Sequence, residues 1–282
     1  MARLGSIKYQ VASELMSQLR IGDSKHKARS DEHTSYPDGI FSWSTYDSYK
    51  KCCCAFADWV HKTYSCNRLD KAKAYVPEYL QSRVDSGLSP WTIKLERAAL
   101  SKLYHCQAAD WGVDVPERRR QNISRSRNDC VRDKHFSTAK NADLVEFLQG
   151  TGLRRREAEH VRPCDIHVTR HGVSVDVVGK GGKRRSVPVL AGFESKVSRY
   201  ASGSKKPIWG KIPGSCDVHG YRREYATALY RQSARPIDQL ERKDKYICRA
   251  DKSGVIYDKQ ALMTVSKALG HNRTDVVVSH YL

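Results

Sequence analysis

Residues 174–190 read SVDVVGKGGKRRSVPVL, and their alternation decides what kind of domain the second half of the chain forms. Val173, Val175 and Val177 fall on one side of an extended segment; Val187 and Val189 fall on one side of another. A glycine-rich turn joins the two. Alternation with period two on both sides of such a turn predicts an antiparallel hairpin with one buried face. Helical periodicity surrounds it, near 142–148 and 153–161 before the hairpin and near 193–201, 218–232 and 259–269 after it. The expected domain is mainly α with a small antiparallel β-sheet.

The first half has no such alternation. Ser44 with Asp47 resembles a capping pair, after which Tyr46, Tyr49, Cys53, Phe56 and Val60 recur at helical spacing. A second helix fits 72–84, with Pro77 near its start. A third begins at Ser89 and Pro90 and lines up Ile93, Leu100, Leu103 and Tyr104. These helices predict an all-α domain over 39–116. Before it, 1–38 reads as a basic, partly disordered lead-in with one short helix around Val11–Leu19. The stretch VPERRRQNISRSRNDCVRDKH follows the helices, and 117–135 reads as a basic linker. The mixed domain then occupies 136–282.

Fifty Lys and Arg stand against 31 Asp and Glu among 282 residues, a net charge of +19. A polyanionic partner accounts for that excess, because each cation laid on a phosphate releases condensed counterions. No apolar run reaches membrane-spanning length, and no membrane partner is expected. Nor does the start of the chain have the apolar core of a signal peptide. Nine cysteines, an odd number without paired C-x-x-C units, suggest reduced thiols in a cytoplasmic protein.

Four separated stretches carry chemistry: TGLRRREAEH (151–160), GKGGKRRSVP (179–188), HGYR (219–222) and LGHNRTDVVVSHYL (269–282). Singly each is unremarkable. A triple-Arg run is usually a solvated face, a lysine-rich hairpin is usually a soluble surface, and the P-loop spacing is not met. In this order, however, they resemble the motifs of the tyrosine recombinases, the phage-integrase family. The resemblance covers about 150–282; the helical domain matches the family's SAM-like core-binding domain in size, helical character and position alone.

The chemistry of the set is coherent. Attack on a phosphodiester builds negative charge on the non-bridging oxygens, and the paired donors of Arg154 and Arg222 suit that geometry. His219 and His271 can donate further hydrogen bonds and move protons. Tyr281 is the candidate nucleophile, since a phenol can form a phosphate ester that stores the bond energy. The departing 5′-oxygen needs an acid, and the resemblance assigns that part to Lys180, with Lys183 as the competing candidate. Glu157, one turn after Arg154, is expected to orient a charged neighbour. The residues expected to hold the DNA backbone are Arg118, Arg119, Arg120, Arg125, Arg127, Lys183 and Arg184. No metal or other cofactor is called for: the histidines lack carboxylate partners at ligand spacing.

What the resemblance implies is a site-specific recombinase that integrates or excises a mobile element or phage genome through a 3′-phosphotyrosyl intermediate. Its partner is a double-stranded DNA site. The protein is expected to be a monomer when free and a homotetramer on synapsed duplexes, with accessory DNA-bending proteins as possible helpers and the nucleoid of a prokaryotic host as its place. Two departures stand out. Ten positions separate His271 from Tyr281, where the family pattern has nine. Members of the family also continue past the tyrosine with a tail that docks on a neighbour, whereas Leu282 alone follows here. Two other functions fit the same residues: a relaxing enzyme of the type IB topoisomerase kind, or a non-catalytic DNA-binding protein on a recombinase fold. Residues 233–258 are longer than a minimal connection, either a DNA-contacting hairpin or a surface excursion.

Overall fold

A computed structural model describes residues 5–34, 37–118, 135–179 and 182–282. The chain divides into two compact units, Met1–Ile123 and Ser124–Leu282.

In the first unit the helices are α1 (Ile7–Ser17), α2 (Lys25–Asp31), α3 (Trp43–Tyr64), α4 (Leu69–Ala72), α5 (Val76–Asp85) and α6 (Pro90–Leu103). The apolar stripe of α3 is the centre of the core. Tyr46, Cys53, Phe56 and Val60 are buried there, and Tyr49 packs against them partly covered. Helix α3 is capped by Ser42, not Ser44: the Ser42 hydroxyl accepts from Thr45 N at 3.2 Å. Ser89 and Pro90 start α6 as the sequence predicts.

The lead-in is more ordered than its composition suggests. Ile7, Val11 and Leu15 of α1 are buried in the same core, on α3. Burying side chains of this kind contributes ~1.5–3 kcal/mol each, enough to fix a segment that is otherwise polar. Arg20 then gathers the charged stretch: Nε donates to Asp23 at 3.0 Å, and Nη1 donates to Glu32 at 2.7 Å and to the Asp38 carbonyl at 3.0 Å.

The second unit contains α7 (Ala142–Thr151), α8 (Arg155–His160), β1 (Ile166–Thr169), β2 (Gly172–Val178), β3 (Arg184–Pro188), α9 (Glu194–Ser198), α10 (Val218–Ser233), β4 (Lys245–Ile247), β5 (Ile256–Asp258), α11 (Lys259–Ala268) and α12 (Thr274–His280). The predicted hairpin is β2–β3, antiparallel, with Val175 opposite Val187 and Val177 opposite Arg185. Val173, Val175, Val177 and Val187 are buried, as the alternation requires. A third strand, β1, pairs antiparallel on the other edge of β2. Helices α7 and α10 pack against each other, and α11 packs on α10 and α12.

Residues 233–258 are not a plain excursion. They contain the antiparallel pair β4–β5, and they bury Leu240 and Cys248. No described helix is long and apolar enough to cross a membrane.

Candidate functional site

Three turns converge on one place. Helix α7 ends at Gly152, in the left-handed conformation with φ +58°, and the next residues, Leu153 and Arg154, lead into α8. A side chain is excluded at Gly152, because a Cβ there would lie 2.3 Å from Tyr225 Cδ1. Helix α10 begins with Asp217 as cap and presents His219 and then Arg222 one turn later. Helix α11 ends at Leu269, and the Gly270 turn delivers His271 before α12 carries the chain to Tyr281.

Arg222 is the hub, with 1% of its surface exposed. Its Nη1 donates to the Gly152 carbonyl and its Nη2 to the Leu269 carbonyl, both at 2.5 Å. Its Nε donates to Tyr281 Oη at 3.2 Å. One guanidinium thus joins the ends of α7 and α11 to the phenol. Burial, only partly offset by the neighbouring tyrosine, lowers its pKa.

Glu157 is buried beneath Arg154. Its carboxylate accepts from Arg154 N and Nη1, both at 2.8 Å, and from Arg185 Nη1 and Nη2 at 3.0 and 2.8 Å. Burial alone would raise its pKa; the hydrogen bonds from Arg185 and Arg154 outweigh that and hold it down at about 2. Glu157 is therefore a fixed anion. It orients Arg154, whose side chain keeps about a quarter of its surface open to solvent (27%).

His271 Nε2 lies 3.4 Å from Tyr281 Oη, with the ring centroids 5.9 Å apart. Burial, then the charges of Arg154, Arg222 and Arg185, lower its pKa to about 4. The imidazole is neutral at pH 7. Because Arg222 Nε already donates to the phenol oxygen, the phenol proton is free to point at a neutral Nε2 acceptor. His219 sits exposed at the start of α10, its pKa lowered by desolvation and by Arg222.

The structure thus brings Arg154, Arg222, His271, Tyr281 and Glu157 together, with His219 at the rim. Lys180, Arg119, Arg120, Arg125 and Arg127 lie outside the described residues. Lys183 and Arg184 are exposed on the hairpin, and Arg118 lies over the Trp91 ring at 5.9 Å in the first unit. Among the described residues no group of three or more His, Cys, Asp or Glu is arranged to hold a metal ion.

No family model matches the chain. Over 65 residues it is 35% identical to the tyrosine recombinase XerC of Staphylococcus saprophyticus, covering 23% of this chain and 21% of that protein. Over 68 residues it is 37% identical to XerC of Rhizobium meliloti, covering 24% and 21%. The matched part is about a fifth of those relatives' length. The fold matches the XerH site-specific recombinase, solved bound to its difH substrate before cleavage, with a TM-score of 0.51 and 16% identity over 97% of this chain and 92% of that one. The fold is that of the tyrosine recombinases.

Around this site two arginines matter that sequence reasoning passed over. Arg185 sits on the buried face of β3, two residues from Val187, and also donates through Nε to the Ala268 carbonyl at 2.9 Å. That spacing was the available signal, hidden because the K-R-R run reads as surface. Arg155 donates to the carbonyls of Ile212, Pro213 and Cys216 at 2.9, 2.8 and 2.7 Å, which anchors the loop that leads into α10. Nothing in the sequence distinguishes it from Arg156.

Proposed function

We propose that this chain cuts and rejoins double-stranded DNA at a specific site, with Tyr281 as nucleophile. The observation that carries the reading is the position of Tyr281 Oη, 3.2 Å from Arg222 Nε and 3.4 Å from His271 Nε2 within one chain.

Tyr281 Oη attacks the phosphorus of a backbone phosphate as its proton passes to His271. The P–O5′ bond breaks, a 3′-phosphotyrosyl ester forms, and the 5′-oxygen leaves with a proton from Lys180. The 5′-hydroxyl of a partner strand then attacks the ester and releases Tyr281. The ester conserves the bond energy, so the exchange balances without ATP.

Arg154 and Arg222 bind the non-bridging oxygens. A guanidinium has five N–H donors; three of those on Arg222 are engaged by Tyr281, Gly152 and Leu269. Two remain for phosphate. Removing a preorganised donor of this kind costs about 100- to 1000-fold in rate. His219 at the rim supplies a further hydrogen bond to the phosphate. Arg118, Arg119, Arg120, Arg125, Arg127, Lys183 and Arg184 hold the backbone on either side of the cut.

On this reading the second unit is the catalytic domain, the first is the core-binding domain, and 117–135 is the basic linker. Four protomers act on two duplexes in the host cytoplasm, to integrate or excise a mobile element. The test is a nicked duplex carrying the DNA that flanks the gene. Incubation yields a covalent protein–DNA adduct that Tyr281→Phe abolishes. No adduct on any flanking duplex, or one that survives Tyr281→Phe, rules the proposal out.

A further inference from the structure

The segment between α10 and α11 is fixed at both ends. At its base Arg235 donates to the fully buried Asp258 through its backbone N, Nε and Nη2, at 3.0, 2.9 and 2.8 Å. Strands β4 and β5 carry the chain out and back, and Cys248 is buried in the core of the second unit. At the far end, the turn Ala250–Lys252 brings Lys252 Nζ to 3.0 Å from the Val278 carbonyl and 2.6 Å from the backbone oxygen of Leu282.

The Val278 carbonyl belongs to the last turn of α12, and Leu282 follows that helix by two residues. Carbonyls there lack intrahelical partners, and a cation meets the negative end of the helix dipole. Helix α12 has seven residues, too few to persist without tertiary support. Tyr281 lies between the two residues that Lys252 binds, and its own carbonyl accepts from Thr227 Oγ1 at 3.3 Å. The backbone that aims the phenol is therefore held from outside the helix.

We propose that Lys252 is a positioning residue for Tyr281: its ammonium pins the end of α12 so that the phenol stands between Arg222 and His271. The catalytic consequence rests on the reading of Tyr281 as nucleophile. The pinning itself does not, which separates the two tests.

The full chain is prepared as Lys252→Met, which keeps the length and loses the charge, and as Lys252→Arg. Hydrogen exchange is followed first, in the free protein. In Lys252→Met the α12 amides exchange about tenfold faster, the loss expected for a charge-assisted hydrogen bond, while those of β2 are unchanged. Lys252→Arg stays near the parent protein.

On saturating nicked duplex, Lys252→Met forms the adduct about tenfold more slowly at unchanged DNA affinity, and Lys252→Arg restores the rate. Exchange in α12 at the parent rate in Lys252→Met overturns the proposal. So does a loss of DNA affinity that matches the loss of rate, which would make Lys252 a DNA contact. If the parent protein forms no adduct, the proposed function fails, and the exchange measurement still decides whether Lys252 pins α12.

Discussion

Arg185 donates both terminal nitrogens to Glu157, at 3.0 and 2.8 Å, and so ties the β2–β3 hairpin to the start of α8. The guanidinium occupies space that two motif glycines leave open. A Cβ on Gly179 would lie 2.9 Å from Arg185 Nη1, and one on Gly270 would lie 3.0 Å from the same atom. Gly179 and Gly270 thus share a physical cause, the Arg185 guanidinium passing between two turns, to which Gly270 adds a left-handed backbone, φ +69°.

Arg185→Met leaves the buried Glu157 carboxylate with Arg154 as its remaining hydrogen-bond donor. Removing one partner of a buried pair costs about 3 kcal/mol or more. Urea unfolding of the second unit should show that loss. Arg185→Lys should lose less, since one ammonium replaces one of two parallel bonds. A midpoint unchanged in Arg185→Met would mean that Glu157 does not depend on it.

Gly152→Ala combines a left-handed backbone with a Cβ placed 2.3 Å from Tyr225. The two penalties together come to about 3 kcal/mol. Gly192 also has a positive φ, +86°, but nothing lies within 4 Å of a Cβ there. Gly192→Ala should cost about 1 kcal/mol. Equal losses of urea stability in the two variants would contradict the account of Gly152 as a packing glycine.

The apolar stripe of α3 and the alternation of β2–β3 were legible because each is a local period with one buried face. The convergence of Arg154, Arg222, His271 and Tyr281 was legible through motif order. What stayed hidden depends on contacts distant in sequence. Helix α1 is fixed by burial on α3, not by its own polarity. The three residues Val276–Val278 favour extended structure by propensity, yet they lie in α12 because Val277 and Val278 are buried against the rest of the unit. Arg154, Arg155 and Arg156 are identical in sequence: one faces the site, one anchors a loop and one is exposed.

Acid should destabilise the second unit in two windows. The folded state lowers His271 from 6.5 to about 4, so the unfolded chain binds the extra proton between those values. Stability is lost as pH falls from about 6.5 towards 4. Glu157 is lowered from 4.5 to about 2; its contribution is complete above 4.5 and is lost as pH falls towards 2. Urea midpoints measured against pH should show both slopes. His271→Gln should make the upper window shallower, leaving the share of His219, whose pKa is also lowered, and should leave the lower one.

Arg154 and Arg222 should fail differently. Arg154→Ala removes a partly exposed donor and should lower adduct formation about 100- to 1000-fold with the fold retained. Arg222→Ala also frees the buried carbonyls of Gly152 and Leu269. Each unsatisfied group costs about 1–3 kcal/mol, so unfolding should move to lower urea as well. Matching losses of stability in the two variants would refute this division of labour.

Arg155 tests whether the loop before α10 sets the site. Its side chain holds three carbonyls between Ile212 and Cys216, and the chain enters α10 two residues later, with His219 second in that helix. Without the guanidinium those carbonyls turn to water and the helix start loses its fixed approach. Hydrogen exchange at 212–220 should rise in Arg155→Ala, and adduct formation should fall up to about 100-fold through misplacement of His219, an effect of the size a displaced catalytic group produces. DNA affinity should change little, because Arg155 spends its donors on the protein. Arg156→Ala, one residue on and exposed, should leave exchange at 212–220 untouched. If Arg156→Ala slows adduct formation as much as Arg155→Ala does, the effect is one of surface charge on the DNA, and the loop has no part in it.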